Sequence, residues 1–331
     1  MPIVLDAMGS DDCPKPEIEA AKIAAATLNE KIYLVGNRDV IFQNASEQDF
    51  SGLPIEIVHA ADILEMGEKA VKSAQQKPNN SMAVGLQLVK DGAAGGFITA
   101  GNTGAAMFNS LRKLGRIPNV ARPALTTRFP IRTGFCTVLD IGANADCRPE
   151  YLLQFALMGS AYASKMNKID QPRVGLLNNG EEPGKGNELV RNTYALLADS
   201  GLNFIGNVEA KDVFAGKADV VVADGFTGNV FLKTSEAVAK LLVDFLKESL
   251  MSSPKTKIGA FLTKDALKAT KAKLDPNVIG AAPLLGIDGL SFVGHGRSDS
   301  TALVNGIKLV KEAIELDLLS VLRETIQEKL S

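Results

Sequence analysis

The chain has 331 residues, with 36 Lys+Arg against 38 Asp+Glu for a net charge of -2. That length sustains one large α/β domain or two smaller ones without staples, and the charge balance argues against a nucleic-acid binder. Three cysteines without CxxC spacing argue against a disulfide framework or a zinc site, and two histidines against a catalytic scheme built on several imidazoles.

No basic-then-apolar leader pattern opens the sequence and no apolar run reaches spanning length, so a cytoplasmic location is expected. Short apolar, β-prone runs at 3–5, 32–35, 55–58, 96–99, 135–139, 174–177, 204–205 and 220–222 alternate with helical periodicity. Repeated strand-then-helix order predicts an α/β fold of three αβα layers around a mostly parallel sheet buried on both faces. Pro14 and Pro16 mark the start of the first helix, and Ser81 is expected to cap the helix that carries Met82, Leu86 and Val89. No linker or fixed-period repeat divides the chain, so 1–331 is expected to be one unit, either undivided or built as two interwoven lobes.

From Ser235 onward, Val238, Leu241, Leu242, Phe245, Leu246 and Leu250 fall at helical spacing. After a break at 251–254, Ile258, Phe261, Leu262, Ala266 and Leu267 share a segment whose charge is almost all lysine: Lys255, Lys257, Lys264, Lys268, Lys271 and Lys273. Residues 235–275 therefore read as a protruding amphipathic helical arm. Two readings stand: a helix pair packed on its own core or a second subunit, or a basic surface for a membrane or an acidic partner.

Four of the strand-to-helix junctions are rich in Gly, Asn and Asp: 100–104, 140–146, 178–186 and 224–229. Gly permits close backbone approach, and a helix start offers unpaired N–H groups with partial positive charge, a combination suited to a small anion. At the carboxyl ends of neighbouring parallel strands such loops line the usual ligand crevice. Asn102 and Thr103 can bond phosphate oxygens. Asn229 can cap its helix or donate to a ligand. Lys185, flanked by glycines, can reach an anion as a point charge, although the 178–186 loop lacks P-loop spacing and has Gly186 where Ser or Thr would stand. Cys147 beside Asp140 and Asp146 raises a cysteine nucleophile as an alternative, and His295 can bind an anion or act as an acid.

Taken in order, the segments 6–9, 100–105, 140–146, 180–186, 204–209, 224–234 and 283–296 resemble the bacterial phosphate acyltransferases of phospholipid synthesis, the PlsX family. The resemblance covers nearly the whole chain. Ser10 departs from a position that is commonly Gly, which leaves the geometry of the first loop open. The resemblance implies conversion of a long-chain acyl group on acyl carrier protein, with inorganic phosphate, into acyl phosphate and free carrier protein. It also implies a fold similar to isocitrate and isopropylmalate dehydrogenases and phosphotransacetylase, a homodimer, no nucleotide cofactor and peripheral membrane association; no metal is expected from the cysteine and histidine usage.

Phosphate is itself a nucleophile, so positioning and oxyanion donors suffice for the chemistry. Lys185 and Asn229 are the expected catalytic pair. Gly101, Asn102, Thr103, Gly104, Asn144, Asp146, Gly180, Gly186, Asp224, Gly225, Thr227, Gly228 and His295 are the expected substrate-binding set, and Lys264, Lys268 and Lys271 the partner or membrane contacts. Two other classes are weighed. An NAD-dependent dehydrogenase of isopropylmalate-like fold lacks its G-x-G-x-x-G signature here, and a non-catalytic scaffold for acyl chains or carrier protein leaves the four polar loops unexplained.

Overall fold

A computed structural model describes residues 1–132, 134–274 and 280–330, without the side chains of 271–274. In chain order the first part runs β1 (Ile3–Asp6), α1 (Lys15–Leu28), β2 (Ile32–Gly36), α2 (Arg38–Asn44), β3 (Ile55–His59), α3 (Ala70–Gln76), α4 (Ser81–Lys90), β4 (Gly96–Thr99) and α5 (Thr103–Lys113). Next come β5 (Ala124–Ile131), β6 (Gly134–Leu139), α6 (Pro149–Met166), β7 (Val174–Leu177), α7 (Glu188–Ala198), β8 (Phe204–Val208), α8 (Ala210–Ala215) and β9 (Val220–Val222). The chain then continues through α9 (Gly225–Met251), α10 (Pro254–Leu262), α11 (Lys264–Leu274), β10 (Ala282–Leu285), β11 (Ser291–Val293), α12 (Ser300–Glu315) and α13 (Leu318–Leu330).

The strands form one sheet of order β3-β2-β1-β4-β11-β10-β5-β6-β9-β7-β8. Parallel pairing runs from β3 to β11 on one side and from β6 to β8 on the other. The antiparallel pairs β11–β10, β10–β5 and β5–β6 join these two halves, so the sheet is mixed and mostly parallel. The chain leaves the first half after α5, builds the second, and returns through β10 to insert β11 beside β4.

Alternation along each parallel strand explains why these runs are continuously apolar. Ile3 and Leu5, Ile32 and Leu34, Ile98, Val220 and Val222 face one core, covered by α1, α6, α7, α12 and α13. Val4, Val35, Phe97 and Val221 face the other, covered by α3, α4, α5 and α8. A strand buried on both faces has no polar side to show.

The expected strands are all present, and three more were not foreseen: β5, β10 and β11. β5 reads Ala-Leu-Thr-Thr-Arg-Phe-Pro-Ile, too polar to stand out as a buried run. β10 carries Pro283, and its pairing changes along its length, with Ala282 and Pro283 matching β11 and Leu284 and Leu285 matching β5. A proline without an N–H is tolerated where a strand changes partner in this way. The cap of α4 is also corrected. Asn80 accepts from the Ala83 N–H, and Ser81 is already the first helical residue.

The arm begins earlier than expected, because α9 starts at Gly225, ten residues before Ser235. It ends at Met251, and Ser253 then caps α10 through the Thr256 N–H. Among the described residues, nothing of this chain covers its apolar stripe. Leu242 is 60% exposed, Phe261 76% and Leu262 77%, which removes packing on the protomer's own core as an explanation. Lys264 and Lys268 are exposed on α11, while the side chain of Lys271 and residue 275 lie outside the described residues. No described helix is long and apolar enough to cross a membrane.

Candidate active site

Each half of the sheet organises its Gly-rich loops around a buried aspartate at the carboxyl end of a strand. In the second half this is Asp140, which follows β6 and is fully buried. One oxygen, Oδ1, accepts from the N–H groups of Leu125 (3.1 Å), Gly142 (3.1 Å) and Ala143 (2.9 Å). The other, Oδ2, accepts from the Asn144 N–H at 2.7 Å and Asn144 Nδ2 at 2.9 Å. Burial pushes the Asp140 acid above the ordinary carboxylate range against the opposing pull of these donors.

Asn144 completes the loop. Its Nδ2 also donates to the Pro123 carbonyl, and its own carbonyl accepts from the Gly225 N–H at 2.8 Å. The first turn of α9 thereby sits directly on the Asp140 loop, and glycine is required there. A Cβ on Gly225 would lie 2.5 Å from the Asn144 carbonyl oxygen, and one on Gly228 would overlap the Asp140 carbonyl oxygen.

The cap of α9 is Asp224 rather than Asn229. Its carboxylate accepts from the Thr227 N–H at 2.9 Å and the Thr227 hydroxyl at 2.7 Å, so those two residues hold the helix start. Asn229 is left exposed in the second turn, its side chain without a hydrogen bond among the described residues, and a Cβ on Gly142 would come 3.6 Å from its Nδ2. Its amide therefore stands beside a loop whose Gly142, Ala143 and Asn144 N–H groups are already donated to Asp140. Asp146 lies exposed farther along the same loop.

Cys147 is half-buried with its thiol toward the Asn144 carbonyl, and burial followed by the nearby aspartates pushes the thiol up to about 11. A thiol held there supplies little thiolate at neutral pH, which counts against the cysteine-nucleophile alternative.

Lys185 stands exposed in the loop after β7, and β7 pairs with β9, so its loop shares an edge with the Asp224 loop. Gly186 adopts φ +96°, open to glycine alone, and Gly180 packs against the Lys185 stem. Asn207 Nδ2 ties this loop to β8 through the Glu182 carbonyl. Among the described residues, no hydrogen bond or ion pair joins Lys185 to the Asn229 cluster. Behind it, the Glu181, Glu209 and Asp212 carboxylates gather, with Lys211 and Lys217 among them as ion-pair partners.

In the first half the organising residue is Asp6, buried at the end of β1. It accepts from the Met8 N–H at 3.0 Å and the Thr99 hydroxyl at 2.6 Å, and Thr99 Oγ1 in turn accepts from the Gly101 N–H at 2.9 Å. Asn102 serves as the cap of α5. Its Oδ1 accepts from the Ala105 N–H, and its Nδ2 donates one of its two hydrogens to the Met66 carbonyl. Thr103 is exposed at the first turn of α5, and Gly104 lies against Ala70. Ser10 has a negative φ, so a side chain fits where glycine is common. It is buried, and its N–H donates to Glu17 at 2.9 Å.

The two halves meet at Glu236 of α9, which sequence reasoning passed over. Its carboxylate lies 3.5 Å from His295 Nε2, 4.0 Å from Arg297 Nη2 and 3.3 Å from Lys233 Nζ. The His295 loop follows β11 and is fixed to the first half by Gly294 N–H to Thr99 and Asp11 N–H to the Gly296 carbonyl, both 2.7 Å. Burial lowers the His295 pKa, with Glu236 opposing.

This geometry comes with a clear lineage. A family model described as fatty acid synthesis protein matches residues 1–321. The phosphate acyltransferase of Acidobacterium capsulatum is 48% identical over 312 residues, covering 94% of this chain and 92% of that protein. This chain belongs to the phosphate acyltransferase family.

Two solved structures extend the likeness in fold alone. A EutD phosphotransacetylase from Staphylococcus aureus has a TM-score of 0.60 at 16% identity, covering 95% of this chain and 93% of its own. A 4-hydroxythreonine-4-phosphate dehydrogenase from Klebsiella pneumoniae has a TM-score of 0.50 at 14% identity, covering 94% and 97%. The phosphate acyltransferase chain thus shares its αβα architecture with a phosphotransacetylase and a dehydrogenase, as its sequence led one to expect. Two residues that hold its loops, Asp6 and Asp140, were visible as an Asp directly after an apolar run and before a Gly-containing turn. Glu236 carried no such local signal.

Proposed function

We propose that the chain catalyses attack of inorganic phosphate on the thioester of a long-chain acyl group carried by acyl carrier protein, giving acyl phosphate and the free carrier thiol. The observation that carries this reading is the Asn229 amide, without a side-chain hydrogen bond among the described residues and held against the rigid Asp140 loop, in a chain of phosphate acyltransferase lineage. In the reaction a phosphate oxygen bonds to the acyl carbon, the C–S bond breaks, and the sulfur leaves as thiolate. The Asn229 amide stabilises the oxyanion that develops on the carbonyl, while Lys185 holds phosphate as a point charge. The nucleophile arrives ready-made, so the site needs positioning and donors rather than a histidine base.

The uncovered apolar stripe of α9 and α10, together with the lysines of α11, supports two further roles: a homodimer contact, and docking to the anionic cytoplasmic membrane face or to acidic carrier protein. The test is to incubate the protein with palmitoyl-carrier protein, with and without phosphate, following free thiol, acyl phosphate and reduced nicotinamide. Phosphate-dependent thiol release with acyl phosphate formation is expected. Nicotinamide turnover, or tight binding without turnover, would refute the reading.

A further inference from the structure

Lys233, Arg297 and His295 converge on a single carboxylate and do not exhaust one another. A carboxylate that fully engaged its cations would hold them at about 2.7–2.9 Å, and bidentately in the case of arginine. Here the separations are 3.3, 4.0 and 3.5 Å, and Glu236 Oε1, although buried, accepts no hydrogen bond from the described residues. Lys233 and Arg297 are 57% and 67% exposed, so their donors face outward while Glu236 at 17% lies beneath them. Asp11 brings a second carboxylate to this loop, beside Gly296, but among the described residues no ion pair joins it to Lys233 or Arg297, whose donors stay open to solvent.

The array also has a defined position. Asn229, Lys233 and Glu236 recur at four and three residues along α9 and share one helix face. Glu236 lies about 10 Å along the axis from Asn229, so an anion seated here is a second one, distinct from an oxyanion beside Asn229. Its cations come from both halves of the sheet, Lys233 from one and His295 and Arg297 from the other.

We propose that Lys233, Arg297 and His295, gathered by Glu236, form a second oxyanion subsite that takes a phosphate ester or phosphate ion. This rests on the acyltransfer reading above, in which two such groups must reach the site: the attacking phosphate, and the phosphodiester through which the carrier's pantetheine arm is attached. The distance from Asn229 favours the phosphodiester, with Glu236 as a positioning residue that keeps like charges together when no ligand is bound.

The test is steady-state kinetics of K233A/R297A with palmitoyl-carrier protein and phosphate varied separately, with far-UV dichroism as a check on folding. A KM for palmitoyl-carrier protein raised about 10- to 100-fold, with the KM for phosphate within about twofold of wild type, is expected for the phosphodiester. A rise in the phosphate KM instead would keep the subsite and assign it to the attacking ion. Neither KM moving in the folded variant would overturn the proposal.

A second readout needs no variant. Phosphopantetheine should inhibit the wild-type chain more strongly than pantetheine, and equal inhibition would count against the phosphodiester. Absence of phosphate-dependent thiol release from the wild type would overturn the acyltransfer reading itself. The subsite is then read by direct binding of phosphopantetheine, which K233A/R297A should abolish if the subsite exists.

Discussion

Gly228→Ala offers the sharpest test of how the candidate site is assembled. The added Cβ would overlap the Asp140 carbonyl oxygen and lie 3.0 Å from its carbonyl carbon and 3.3 Å from Ile141 Cα. All three are backbone atoms of a loop whose aspartate already accepts from Leu125, Gly142, Ala143 and Asn144, so the loop has little freedom to yield. Overpacking of this kind costs typically about 1–3 kcal/mol. Relief requires α9 to retreat from the loop by about 1 Å, carrying Asn229 with it, and misplacement on that scale can cost on the order of 10²-fold in rate. Thiol release from palmitoyl-carrier protein in the presence of phosphate measures the rate, and urea unfolding measures the stability. The control is Gly259→Ala in α10, where a Cβ meets nothing within 4 Å; replacing a helical glycine there should leave activity intact and, if anything, stabilise by up to about 1 kcal/mol. A Gly228→Ala protein with wild-type turnover would refute the claim that the contact between α9 and the Asp140 loop sets the catalytic geometry.

Asn229→Ala should lower turnover by roughly 10²- to 10³-fold with little change in stability, whereas Asp224→Ala should cost about 1 kcal/mol in unfolding free energy through loss of the helix cap. The reverse pattern would mean that Asn229 is structural. Cys147→Ala should retain full thiol-release activity and iodoacetamide should label the wild-type Cys147 slowly, since burial holds that thiol at about 11; a trapped acyl-cysteine would contradict this. Glu17, buried in α1 with one oxygen unpaired, has its pKa raised from 4.5 to about 7 by burial. The folded state therefore binds the proton more tightly than the unfolded chain, a contribution of roughly 3 kcal/mol that is full below about pH 4.5 and lost as pH rises through about 7. Glu17→Gln, which never ionises, should gain stability over wild type progressively across that window in urea melts, and a pH-independent difference would refute the assignment.

Local sequence determined the parallel strands, the Gly-rich junctions and the helical periodicity of α9, because each depends on short-range physics. A strand buried on both faces must be apolar throughout, a tight loop needs Gly or Asn, and a helix with one apolar face repeats every three to four residues. The family lineage was legible in the order of those junctions. Tertiary structure alone decided what each polar residue does with its hydrogen bonds. Asn102 and Asp224 became caps, the Asn229 amide was left without a hydrogen bond among the described residues, and Asp140 became the hub of its loop, since a side chain's partners are set by backbone groups brought close from elsewhere in the chain. The strands β5, β10 and β11 and the charge array at Glu236 escaped notice for the same reason. Pairing across the centre of the sheet and between its halves joins residues far apart in sequence, and no local pattern encodes such a meeting.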